Sequence, residues 1–160
     1  MVDGNSLERI GTQWSPVILR LALGIVFVVA GAGKVLEVGP KASGIAGFTD
    51  MLAGLGVPLP ALFAWSVGLF ELFGGLLLLL GLFTRYTAAI LAVIMAIATV
   101  LVHLPEGFVA GEGGIEYTLV LTLTSISLAL SGPGAASIER HLFDEELFVP
   151  TDSSSGQQAG

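Results

Sequence analysis

Four long apolar runs, separated by short breaks carrying Gly, Pro and Thr, decide most of what this chain can become. Pro16 to Leu36 is 21 residues, roughly 31 Å at helical rise, enough to cross the hydrocarbon core of a bilayer. The second run covers 61–82, opened by Pro60 and closed by the turn Gly81 to Thr84. The third covers 84–102 and ends at His103, Leu104 and Pro105; the shortest covers 115–131 and is stopped by Ser131, Gly132, Pro133 and Gly134. Backbone inside lipid must satisfy its own hydrogen bonds, so these runs predict an all-α integral membrane four-helix bundle. Composition agrees: 54% of residues are hydrophobic and 12% charged.

The segments outside the spans divide the rest of the chain. Residues 1–15 read as a polar N-terminal segment ahead of a transmembrane domain at 16–134. Between the first two spans, Ile45, Phe48, Met51, Leu52 and Leu55 recur at helical spacing with Asp50 opposite, which predicts a short amphipathic helix in the interface. Residues 135–149 alternate Ile138, Leu142, Phe143, Leu147 and Phe148 with Glu139, Asp144, Glu145 and Glu146, the pattern of an acidic surface helix, and 150–160 read as a small, polar, disordered tail. Leu21 to Val29 followed by Ala30-Gly31-Ala32 has the outline of a secretory signal. Asp3 and Glu8 offset Arg9 and Arg20 ahead of it, and the run is long enough to stay embedded, so the first helix is expected to be retained.

Charge excludes several functions. Six Lys and Arg against thirteen Asp and Glu leave a net charge of -7, which repels nucleic acid. The acidic balance suits work in concentrated salt, where carboxylate repulsion is screened. There is no cysteine, and His103 and His141 are expected on opposite sides of the membrane. Cys-ligated metals, thiol relays and a two-histidine metal or haem site are therefore not expected, and no intrinsic cofactor is.

Charges inside the spans require a partner or a task, since a Lys, Arg or Asp at mid-bilayer costs about 2.5 to 3.5 kcal/mol. Arg20, Gly24, Phe27, Gly31 and Lys34 form one stripe on the first helix, and Trp65, Gly68, Glu71 and Gly75 form its counterpart on the second. Gly24, Gly31, Gly68 and Gly75 are the expected packing positions, and Glu71 is expected to point into the bundle. Either cation could reach it. Arg20 is favoured for its two-point geometry with a carboxylate, giving an expected intramembrane pair of Arg20 with Glu71. The carboxylate is open to two readings, a structural ion pair or a protonatable group on a proton path. At the opposite helix ends, Lys34, His103 and Glu116 fall at one depth and form a candidate polar pocket able to take a quinone-like carbonyl.

These residues resemble the DoxX family of small four-helix membrane proteins, grouped with the surfeit-locus-like proteins. The likeness runs from about Leu19 to Glu139. It rests on Leu19-Arg20-Leu21-Ala22-Leu23-Gly24 leading to Gly31-Ala32-Gly33-Lys34, on Gly56-Val57-Pro58, on Glu71 followed by Gly74-Gly75 and Leu80-Gly81-Leu82, and on Gly132-Pro133-Gly134. Ser137-Ile138-Glu139 stands where the family has Ser-Leu-Asp, and Ile115 replaces its aromatic before the helix-four acid. The resemblance implies an accessory membrane subunit of a quinone-linked oxidoreductase complex, concerned with thiosulfate or with thiols and oxidative stress, and a soluble redox partner. No element is a catalytic motif, so whether the chain itself catalyses stays open. A proton-coupled transporter using Glu71, and a scaffold or assembly factor without catalysis, are the alternatives; a homo-oligomer is compatible with each.

Counting cations near the helix ends sets an expected orientation. With both termini cytoplasmic, Arg9, Arg20, Arg85 and Arg140 face inward, while Lys34 and Lys41 face outward. A Glu112→Cys substitution in this cysteine-free chain is expected to react with an impermeant thiol reagent from the outer side; reaction from the cytoplasmic side alone would reverse the topology.

Overall fold

A computed structural model describes residues 4–143, with side chains over 11–140. Among the described residues every regular element is helical: α1 (Gly4–Val35), α2 (Gly44–Gly54), α3 (Pro60–Leu80), α4 (Thr84–Ala98), α5 (Glu116–Ser131) and α6 (Ile138–Phe143). α4 continues through a π turn at Thr99–His103 and a 3-10 turn at Leu104–Glu106. α1 packs on α3, α3 on α4, α4 on α5, and α5 back on α1, closing a ring. α2 lies across α3 and α1 at one end of that ring. Leu23, Phe27, Leu78, Leu91 and Leu128 fill the centre, while Ile18, Ile25, Phe73, Val93 and Val120 face outward.

An apolar outer surface is what lipid requires of a membrane helix. Gly11–Val35, Pro60–Leu80 and Thr84–Glu106 have the length and hydropathy to cross a membrane; Glu116–Ser131 is apolar but shorter. At 16 residues α5 covers about 24 Å.

Helix ends follow local chemistry. Pro60 occupies the first turn of α3, where a missing N–H costs nothing, and Gly81 ends it at φ 68°, with the Leu82 N–H returning to the Leu77 carbonyl. Around the π turn that closes α4, Thr99 donates its hydroxyl to the Met95 carbonyl at 2.7 Å beside the backbone N–H that this carbonyl already accepts, and Pro105 has no N–H for the Leu101 carbonyl.

Two boundaries differ from the sequence expectation. α1 starts at Gly4 instead of Pro16, so most of the N-terminal segment continues the helix. Pro16 lies inside it, with Gly134 packed on its ring and the Ala135 N–H donating to the nearby Gln13 carbonyl. The expected acidic surface helix begins as α6, but Glu139 is buried, its N–H donated to the Gly81 carbonyl and its carboxylate accepting from the Thr84 N–H at the start of α4. Residues 144–160, including the expected tail, lie outside the described residues.

The closest helix contact is α1 with α3. A Cβ on Gly75 would stand 2.6 Å from the Val28 nitrogen, one on Gly24 would stand 2.7 Å from the Leu79 side chain, and one on Gly31 would overlap the Leu72 backbone. Gly68 meets Val35 and Lys34 in the same seam. Glycine here serves close approach, as small residues do where helices associate in lipid. Gly31→Ala should therefore cost about 1–3 kcal/mol through overpacking, whereas Gly47→Ala, on the open face of α2, should be neutral or stabilising by up to about 1 kcal/mol. Thermal unfolding in detergent checks the opposite signs.

Candidate functional site

In the antiparallel seam, Leu72 lies opposite Gly31 and Gly75 opposite Val28. That register brings Glu71 level with the last turn of α1. Lys34 Nζ meets Glu71 Oε2 at 2.5 Å, the carboxylate side chain 3% exposed and the lysine side chain 18% exposed. The ammonium also sits 5.0 Å from the Phe48 ring centroid, so α2 supplies a π face to the same cation. Lysine carries three donors, and only one is taken by Glu71.

Arg20 is elsewhere, and this corrects the expected pair. Its Nε donates to the Leu78 carbonyl at 2.9 Å, Nη1 to the Pro133 carbonyl at 2.6 Å, and Nη2 reaches the Leu79 carbonyl at 3.5 Å. The reason is depth. The register that joins Lys34 to Glu71 sets Arg20 against the C-terminal turn of α3, where carbonyls have no intrahelical donors. Gly81 leaves the space: a Cβ there would stand 2.6 Å from the guanidinium carbon. Arg85 serves α5 in the same way, donating to the Ala129 and Leu130 carbonyls. The buried Glu139 lies close enough for its charge to act on Arg20. This end of the ring is a structural knot.

The α2 end holds a cavity of about 470 Å³. Phe27, Ala30, Ile94, Met95 and Leu121 form apolar walls, Met51 and Leu52 of α2 form the cover, and Lys34, Glu71, Lys41, His103 and Tyr117 supply the polar groups. Its size and make-up, mostly apolar with a few convergent polar side chains, are those of small-molecule sites.

Lys34 and His103 therefore share a wall, while Glu116 does not line the cavity. Its carboxylate accepts the Ala110 N–H at 3.2 Å and holds the α4–α5 loop, an ordinary task for an acid at a helix N-terminus. His103 Nδ1 lies 2.5 Å from the Gly113 carbonyl. A carbonyl can only accept, so Nδ1 carries a proton, and Nε2 accepts in the neutral ring and donates in the protonated one. Lys34 and His103, the two donors expected from the sequence, both line the cavity, with Nδ1 of the imidazole committed to the Gly113 carbonyl. Three groups were not singled out from sequence: Phe48 as the cation's π partner, Tyr117, and Lys41, whose Nζ lies 4.8 Å from the Tyr117 ring centroid. Their signal, aromatics one element away from a lysine, is too common to have been read. Among the described residues no cluster of His, Asp and Glu could hold a metal ion.

A family model described as DoxX matches residues 15–104. The chain belongs to the DoxX family. Its DoxX relatives include "Putative oxidoreductase CatD" of Bacillus subtilis, 32% identical over 87% of this chain and 92% of that protein. "Inner membrane protein YqjF" of Escherichia coli is 33% identical over 85% of this chain and 95% of its own length. "Uncharacterized membrane protein Rv3486" of Mycobacterium tuberculosis is 36% identical, covering 80% and 81%. No solved structure matches significantly. With its apolar helices, membership makes the chain a membrane protein in contact with lipid.

Lys34 and Glu71 thus form a buried pair at the rim of a DoxX cavity, and removing one member should strand the other. Lys34→Met and Glu71→Gln are each expected to cost about 3–5 kcal/mol, and the double variant less than the sum, with a clear coupling in the cycle. Denaturant unfolding in micelles measures it, and additive single changes would break the pair.

Proposed function

We propose that this DoxX protein is the membrane subunit of a quinone-linked oxidoreductase complex, and that the cavity beneath α2 holds the quinone ring. The observation that carries this reading is one apolar chamber of about 470 Å³ with a single buried Lys34–Glu71 pair and His103 on its wall. A bound quinone would take up two electrons and two protons. The residues suit the head group: Phe27, Met95 and Leu121 offer apolar faces to a ring, and Lys34 has donors left for a carbonyl. Neutral His103 can accept a hydroxyl proton at Nε2, and after protonation the same nitrogen donates. Glu71, hydrogen-bonded to Lys34, is placed to stabilise that cation while the head group exchanges protons with His103.

Electrons would come from a soluble redox partner, because a chain without cysteine has no thiol or iron–sulfur relay to offer. The word oxidoreductase in the name of the Bacillus relative supports the assignment at the level of class. The orientation that suits this reading has both termini cytoplasmic and the cavity at the outer ends of α1, α3 and α4.

Binding of a tailless benzoquinone to the purified protein in lipid nanodiscs tests the site. Lys34→Ala and His103→Ala should each weaken it by about tenfold or more, since one lost hydrogen bond to a charged or buried partner is worth about 1.5–3 kcal/mol. Unchanged affinity in both would remove the ring site and favour the carrier or scaffold readings.

A further inference from the structure

The seams between helices are not closed alike. α1 and α3 meet backbone to backbone through Gly31 and Gly75. α3 and α4 are held close only near their shared turn, where a Cβ on Gly74 would come 3.3 Å from the Thr87 side chain. Toward the α2 end they part, leaving an apolar space of about 790 Å³ lined by α3, α4 and the end of α2. A further groove of about 400 Å³ continues it along the outer face of the pair, sharing Ser66, Phe70 and Ile90.

This space lies against the charged cavity. Leu52, Leu55, Val57, Val67, Ile94 and Ile97 line both, so the chamber that holds Lys34 and Glu71 and the space between α3 and α4 share a boundary of apolar side chains. Polarity is graded along the path: charged side chains lie at the inner end, while Phe63, Ala89 and Val93 line the lipid-facing end. From Thr87 to Leu101 the groove follows α4 for about 21 Å, the span of a long aliphatic chain lying along the helices.

We infer that the α3–α4 seam is a lateral doorway that seats the aliphatic tail of a membrane-borne ligand whose polar ring occupies the Lys34–Glu71 cavity. The inference rests on the ring site proposed above and names its substrate class: a ring carrying a long apolar tail, delivered from the bilayer instead of from water. The occupant follows from that shared boundary. An annular phospholipid chain would fill an apolar groove equally well, but it would have no use for a polar chamber directly beside it.

The test compares two probes with one ring, 2,3-dimethoxy-5-methyl-benzoquinone without a tail and its decyl derivative, by equilibrium binding to the full chain in nanodiscs. Val93→Trp and Ile90→Trp obstruct the doorway at exposed positions that do not line the ring cavity, and Ala89→Phe is a smaller obstruction on the same face. Val120→Trp, facing outward on α5, is the control for added bulk in lipid. Displacing even about two methylenes from an apolar groove is worth about tenfold in affinity, so the doorway variants should weaken the decyl probe by about tenfold or more. They should leave the tailless probe within about twofold of the unmodified protein, and Val120→Trp should change neither. Equal effects on both probes, or no effect on the decyl probe, would overturn the doorway and leave the groove to ordinary lipid chains. Failure of the unmodified protein to bind the tailless ring would instead remove the ring site and the doorway together.

Discussion

The register between α1 and α3 is the constraint on which everything else depends. It is set where glycine lets two backbones touch, Gly31 against Leu72 and Gly75 against Val28, and a contact this close tolerates no slip. One turn of displacement would move a helix by about 5.4 Å and separate every polar group that the seam brings together. In the observed register Lys34 meets Glu71 at one end, and Arg20 meets the carbonyls of Leu78 and Leu79 in the last turn of α3 at the other. Both cations lie in apolar surroundings, where a charge without partners is costly.

The two ends spend their polar groups differently. At the turn end Arg20, Arg85, Glu139 and the Gly132-Pro133-Gly134 segment satisfy one another and the helix termini. Every one of these bonds closes the structure on itself. At the α2 end the connection from α1 to α3 is long enough to fold into a helix of its own, which bridges the ring without plugging it. Lys34 keeps unused donors there, and the π turn of α4 brings His103 to the same chamber. Polar groups left with capacity beside an apolar hollow are what distinguish a site from a knot.

Most of the architecture was legible in the sequence because hydropathy and helix breakers act locally. Pro60, Gly81 and the Gly-Pro-Gly segment sit at the element ends that their backbone preferences dictate, and the apolar spacing of Ile45, Phe48 and Leu52 falls in α2. Around Pro16 the first helix takes contacts from remote residues, Gly134 on the ring and Ala135 on the Gln13 carbonyl, which no local rule can see. The choice between Arg20 and Lys34 failed for a related reason. Bidentate chemistry favours arginine, but depth decides, and depth depends on which glycine meets which residue across the seam. His103 lines the cavity with Lys34, and its Nδ1 is held by Gly113, ten residues further on and reached only through the folded loop. Glu116 shared a helix end with these groups, and loop geometry turned it to the Ala110 N–H.

The claim that ties seam to site is that the carboxylate of Glu71 faces whatever the cavity binds. Isotope-edited infrared difference spectroscopy on protein labelled at its glutamates, recorded in nanodiscs as the decyl benzoquinone is added, reads that carboxylate directly. A glutamate carboxylate band that shifts on addition, and that is lost in Glu71→Gln, is the predicted result. A difference spectrum with no glutamate band, or one that survives unchanged in Glu71→Gln, would contradict it.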